Sequence, residues 1–276
     1  GFSLVSMLLI HRIAHRAFGP VAALLAAATF AMASSDPGTA GEGCNREIYM
    51  NTLALAAVVS VMNADRARRG LLLAGVFFGI ASTIKTIIAA QWFAISLWAV
   101  WRRHVNRSER RDSLFATIAY LAIGPAVIWL SVAGYFAATD RFALFIDAVF
   151  TYNLGYSDIG GTPLQRLTEF FDPVFNIFQS AAPLWWAAAV AGPGLIVLCR
   201  DRLDSIYGLL PAYAAGSFIA VCLPGRFWPH YYYLMLPSLI LLTVALLTRF
   251  GECVAPRTGR RAIAAFGCIG FLAVTV

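Results

Sequence analysis

Runs of apolar residues, separated by short loops, recur along this chain from end to end, and no water-soluble fold has interior enough to hide them all. After a first stretch, Phe2–Ile10, of about half a span, they fall at 19–34, 48–63, 71–84, 86–101, 114–136, 177–198, 206–223, 232–249 and 262–276. Roughly 20 apolar residues cross a bilayer as a helix, so the 276 residues predict an all-α, polytopic transmembrane bundle of about nine to ten spans. Only 13% of the side chains are charged while 60% are hydrophobic, against roughly 25% and 45–50% in a soluble domain. A soluble globule and a disordered chain are both excluded. The reading is one transmembrane bundle over 1–276, truncated at both ends, because Gly1 opens an apolar stretch and Val276 falls inside another.

The net charge of +7 does not call for nucleic acid, since the basic residues sit in interhelical loops and set orientation there. Five cysteines form no CxxC pair, so no disulfide framework or metal centre is expected. A GxxxxGK[ST] motif is also missing from the sequence, and no cofactor is expected.

The loops alternate in charge. One set holds Arg12, Arg16, Arg66, Arg68, Arg69, Arg102, Arg103, Arg107, Arg110, Arg111, Arg200, Arg202, Arg249, Arg257, Arg260 and Arg261. The other holds Arg46, Lys85, Arg141, Arg166 and Arg226 beside eight acids. By the positive-inside rule the first set is cytoplasmic and the second faces outside. The outer face then carries the larger loops, 35–47 and 137–176, and an aromatic turn at 224–233. Within 137–176, Phe142, Phe145, Ile146, Val149 and Phe150 recur at helical spacing, which predicts a short amphipathic helix lying in the interface, with a second from Pro163 to Phe171. A lid over an opening toward lipid is the functional form of the same pattern.

Ionisable residues at these loop ends are the candidate site. Lys85 is the only lysine and directly follows an apolar run, where a cation needs a route to headgroups or an anionic partner; an ammonium suits a lipid-linked phosphate. Arg226 and His230 lie four apart in a segment rich in aromatics that includes Tyr231. If the turn is helical, the two converge on one anion; otherwise the aromatics are interfacial anchors. Asn45 is placed to cap the helix that follows, with Glu47 in its first turn; alternatively Glu47 is a cavity carboxylate supporting a general base. Tyr152, Asn153 and Tyr156 carry groups that stack on and hydrogen-bond to a sugar. Gly75 and Gly79 form a GxxxG pattern that favours close helix packing.

Three stretches together carry a family resemblance: Glu42-Gly-Cys-Asn-Arg-Glu47-Ile-Tyr-Met, Gly75-Val-Phe-Phe-Gly79-Ile-Ala-Ser-Thr-Ile-Lys85 and Gly225-Arg226-Phe-Trp-Pro-His230-Tyr-Tyr-Tyr-Leu-Met-Leu-Pro237. The chain resembles the bacterial membrane glycosyltransferases of the GT-C fold, in the group related to protein O-mannosyltransferases and aminoarabinose transferases. The resemblance implies transfer of a hexose or pentose from a polyprenyl-phosphate-linked donor to a lipid, glycan or protein acceptor, at the outer face of the bacterial inner membrane. It implies that Lys85, Arg226 and His230 meet the donor phosphate, that Glu47 is a supporting carboxylate, and that Tyr152, Asn153, Tyr156 and Tyr231 bind substrate. The family's catalytic aspartate follows its first span; no counterpart is found here, so the chain alone is expected to be inactive. A secondary transporter or lipid-linked glycan flippase is the alternative, but it would place charges at the bilayer midplane and show paired repeats. In a noncatalytic scaffold, Lys85 and Arg226 would point separately to headgroups.

Overall fold

Helices account for the regular backbone of the computed structural model, which describes residues 1–40, 45–64, 68–106, 114–157, 162–177 and 182–254. In order they are α1 (Phe2–Phe18), α2 (Pro20–Ala33), α3 (Pro37–Ala40), α4 (Arg46–Asn63), α5 (Arg69–Ile84), α6 (Ala89–Val105), α7 (Leu114–Ala138), α8 (Phe142–Ile146), α9 (Tyr152–Ser157), α10 (Pro163–Asn176), α11 (Ala182–Leu198), α12 (Ile206–Cys222) and α13 (Leu236–Val254). The run expected at 262–276 and Cys44 lie outside the described residues.

The first element differs from the half span expected over Phe2–Ile10. It is one helix through Phe18, burying Ser6, Ile10, Ile13 and Ala14 along one stripe. His11 and Arg12 do not break it, because helical backbone tolerates charge wherever the side chain can reach a polar exit; Arg16 in its last turn donates to Asn63 Oδ1 at the end of α4. Two described helices, Leu114–Ala138 and Leu236–Cys253, are long and apolar enough to cross a bilayer, and four shorter ones are apolar. These fit a membrane-embedded chain; the expected nine to ten crossings go beyond them.

Small residues set the tightest seam. A Cβ on Gly75 would meet Leu121 O at 2.6 Å, one on Gly79 would meet Pro125 Cα at 2.9 Å, and one on Gly124 would collide with the backbone of Gly75 and Val76. Helices α5 and α7 therefore run with backbones nearly touching, as the GxxxG spacing predicts. Pro125 has no N–H to offer the carbonyl of Leu121 four residues earlier. Trp92 on α6 fills that vacancy, its indole donating to Leu121 O at 3.1 Å. One proline thus ties three helices together at the level just below Lys85.

The segment after α7 enters through Asp140, in the left-handed region at φ 55°. It runs through α8, a π-helical turn at Asp147–Thr151 and α9, where sequence periodicity predicts one short helix. Helix α10 begins with a complete capping box, Thr162 and Gln165 each bonding the other's backbone, and continues to Asn176, beyond the predicted end at Phe171.

Candidate functional site

Four pieces of backbone end at one place: the first turn of α4, the break between α5 and α6, the Asp147–Ser157 stretch, and a 3-10 turn at Pro229–Leu234. Lys85 is the break. Its extended backbone, φ −158° and ψ 126°, ends α5 and turns its side chain toward α4. Pro229 starts the 3-10 turn with a φ already suited to it, and each following tyrosine is locked in its own direction. Tyr232 donates to Phe170 O, the carbonyl of Tyr233 accepts from Asn51 Nδ2 at 2.7 Å, and Tyr231 faces the cavity. All three are buried, which overturns the reading of these rings as interfacial anchors.

The cavity so enclosed has a volume of about 400 Å³. Glu47, 2% exposed, sits in it with Oε1 3.3 Å from Lys85 Nζ. Lys85 Nζ also lies 3.4 Å above the centroid of the Tyr231 ring, a cation–π contact that compensates part of the lost hydration. The Tyr231 hydroxyl is 3.2 Å from that of Tyr156, and Tyr156 stacks on Tyr152 with centroids 6.0 Å apart. Asn153 lines the same wall and donates to Val149 O at 2.8 Å.

Burial is the main influence on the titrating groups here. It pulls Lys85 below its usual range; the Glu47 charge and hydrogen bond oppose the shift, and Arg46 adds to it. Burial likewise lowers His230, with Glu47 opposing and Lys85 and Arg46 reinforcing. An imidazole held below its usual value is neutral at pH 7, so His230 lines the cavity as a hydrogen-bonding group. Tyr231 is raised, first by burial and then by its bond to Tyr156; its phenol stays protonated.

Eight of the candidate site residues singled out in the sequence therefore line one cavity: Asn45, Glu47, Lys85, Tyr152, Asn153, Tyr156, His230 and Tyr231. Arg226 is not with them. Trp228 is extended and the turn begins only at Pro229, so Arg226 and His230 are not successive turns of one helix. Arg226 instead lines a neighbouring cavity with Glu169 and Asp172. Asn45 occupies the N-cap position of α4 with Glu47 in the first turn, as expected, but makes no side-chain capping bond, and Glu47 is paired with Lys85. Sequence reasoning missed Arg46, Ser82, Thr83, Thr86 and Trp129, all on the cavity wall. Arg46 had a signal, since the residue before a first-turn carboxylate opens on the same loop end. Trp129 had none, being one of many apolar residues in α7; its indole donates to Ser82 Oγ at 2.8 Å.

A second, apolar cavity of about 280 Å³ adjoins the first and shares Ser82, Thr86, Trp129 and Val149 with it; Phe78, Trp92, Pro125 and Phe150 complete it. Among the described residues no group of three or more His, Cys, Asp or Glu side chains is placed to hold a metal ion.

No curated protein and no solved structure matches the chain. Residues 2–129, which carry Arg46, Glu47, Ser82, Lys85 and Trp129, match the family model described as dolichyl-phosphate-mannose-protein mannosyltransferase. Over that stretch the chain is similar to this family, whose members are GT-C-type glycosyltransferases integral to membranes.

Proposed function

We propose that the cavity holds the head of a polyprenyl-phosphate-linked hexose or pentose and that the sugar passes to a hydroxyl of a lipid, glycan or protein acceptor on the outer face of a bacterial inner membrane. One observation carries this reading: a polar cavity with two cations, Arg46 and Lys85, against one carboxylate, Glu47, lies beside an apolar one and shares Ser82, Thr86, Trp129 and Val149 with it. A prenyl phosphodiester has this profile, a single negative charge attached to a hydrocarbon.

Attack by the acceptor oxygen on the anomeric carbon expels the lipid phosphate, so the site must stabilise charge on the leaving group. Lys85 is built for that. The Glu47 ion pair keeps it charged in spite of burial, and the Tyr231 ring holds its ammonium in place. Arg46 takes the second cationic position that the sequence reading gave to Arg226. His230, neutral at pH 7, donates a hydrogen bond to the phosphate, and a bound anion favours its protonated form. Tyr152 and Tyr156 give the sugar a stacking face, with Asn153 and Tyr231 beside them. Glu47, occupied by Lys85, is a supporting carboxylate. Removal of the acceptor proton is assigned to the acidic residue that the resemblance places after a first span. The outer-face orientation rests on the charge difference between the two sets of loops.

Replacing Lys85 by alanine in the membrane-embedded enzyme should lower transfer from a labelled polyprenyl-phosphate sugar by at least about 10²-fold, since a removed charge stabiliser in a buried site costs that much. Expression should be retained, and the thermal midpoint should fall because Glu47 loses its buried partner; Lys85→Gln, which keeps a hydrogen-bond donor beside Glu47, should lose transfer with a smaller fall. Wild-type turnover by Lys85→Ala would remove the phosphate role.

A further inference from the structure

Arg226 stands outside the donor cavity yet touches its wall. Its Cζ lies over the Tyr156 ring at 4.7 Å from the centroid, and its Nε donates to Tyr156 O at 3.4 Å. Tyr156 is therefore held from two sides, by the guanidinium on its ring face and by the Tyr231 hydroxyl at its own hydroxyl. Between Phe142 and Tyr156, Phe145 is the one buried side chain among the described residues. The backbone on the way has two departures from regular helix, Asp140 at φ 55° and the π-helical turn at Asp147–Thr151, both features that recur where a chain is shaped for a site instead of for stability. Helix α9 supplies Tyr152, Asn153 and Tyr156 to the cavity, and Tyr156 is the residue through which Arg226 reaches it.

We infer that Arg226 is a positioning residue: by clamping Tyr156 against Tyr231 it holds the aromatic wall of α9 over the donor sugar, and it does not contact the phosphate. The residue type matches the task. A guanidinium is planar, stacks on a ring and still has Nε–H to donate in its own plane, whereas an ammonium is a point charge that cannot do both. The chain of contacts runs from Arg226 through Tyr156 and Tyr231 to Lys85, so losing the clamp loosens the sugar side of the cavity and leaves the Lys85–Glu47 pair intact. This role rests on the donor reading above, and the experiment separates the two.

The measurement is donor KM and kcat for the membrane-embedded protein with Arg226→Met, Arg226→Lys, Tyr156→Leu and the double variant Arg226→Met with Tyr156→Leu, with Lys85→Ala run beside them. Each single change should raise the donor KM about fivefold to thirtyfold, the weight of a partly desolvated cation–π contact, with kcat changed less than about twofold. Lysine should not rescue, and the double variant should fall well short of the product of the two single losses, because the changes share the ring contact and only the hydrogen bond to the carbonyl of residue 156 is separate. Recovery of the wild-type KM by Arg226→Lys, a fall in kcat at constant KM, or losses that multiply in the double variant would each overturn the positioning role. If Arg226→Met does not fold, Arg226→Lys and Tyr156→Leu decide by the same criteria. An inactive Lys85→Ala together with multiplying losses at Arg226 would sink the clamp alone; an active Lys85→Ala would sink the donor reading.

Discussion

The ion pair at 3.3 Å between Lys85 and Glu47 sets the chemistry of the cavity, and His230 gives it a dependence on pH. Burial, reinforced by Lys85 and Arg46, holds the imidazole below its ordinary value, and Glu47 opposes them. An arriving phosphodiester adds negative charge and raises that value again, so binding takes up a proton. Donor affinity should therefore strengthen as pH falls from about 8 toward 6. The donor itself does not titrate in that interval. His230→Gln should flatten the profile; an equally steep profile in that variant would assign the proton elsewhere. For stability the sign is the reverse. A histidine whose value is lowered in the folded state contributes stability above its unfolded value of about 6.5, and that stability is lost as pH falls through the folded value. At this scale the sequence was informative about residue type and poor about company. Lys85, alone among the basic residues in being lysine, and Glu47, in a first turn, were both visible as candidates. Arg226 was paired with His230 because four residues separate them, a spacing that matters only in a continuous helix. The extended backbone at Trp228 breaks it.

Elements position these side chains through close backbone contact more than through large apolar surfaces. The α5–α7 seam fixes the height of Ser82 and Lys85 at the end of α5 and of Trp129 on α7. A methyl group at Gly124 would collide with the backbone of Gly75 and Val76, so the helices must separate to admit it. Gly124→Ala should cost about 1–3 kcal/mol, as overpacking generally does, seen as a lower thermal midpoint in detergent. It should also weaken donor binding, because the Trp129–Ser82 hydrogen bond spans the same seam. An unchanged midpoint would show that the seam can give way. The apolar runs and the GxxxG spacing made most of these helices legible in the sequence. The first helix was read too short because its charged second half resembles a loop. The π-helical turn left no trace, since its residues alternate as well in a regular helix.

Across the whole molecule, the cavity residues come from the first turn of α4, the end of α5, α7, α9 and the turn at Pro229–Leu234, while Arg16, Arg68, Arg69, Arg102, Arg103, Arg200 and Arg202 fall at or next to other helix ends. Alternation of loop charge made it possible to say from sequence that Glu47, Lys85 and His230 share an end. It could not say that an apolar cavity of about 280 Å³ would lie beside them and share Ser82, Thr86, Trp129 and Val149, because those residues come from separate elements and look like ordinary packing. That junction is the centre of the account: charge recognition on one side, hydrocarbon on the other. The most direct test is equilibrium binding of two lipids of equal chain length, a polyprenyl phosphate and the corresponding polyprenol, to the purified protein and to Lys85→Ala. The account predicts that the native protein binds the phosphate at least about tenfold more tightly than the alcohol, the value of one charge-assisted contact of about 1.4 kcal/mol, and that Lys85→Ala binds the two alike. Equal binding of both lipids by the native protein, or an undiminished preference in Lys85→Ala, would contradict it.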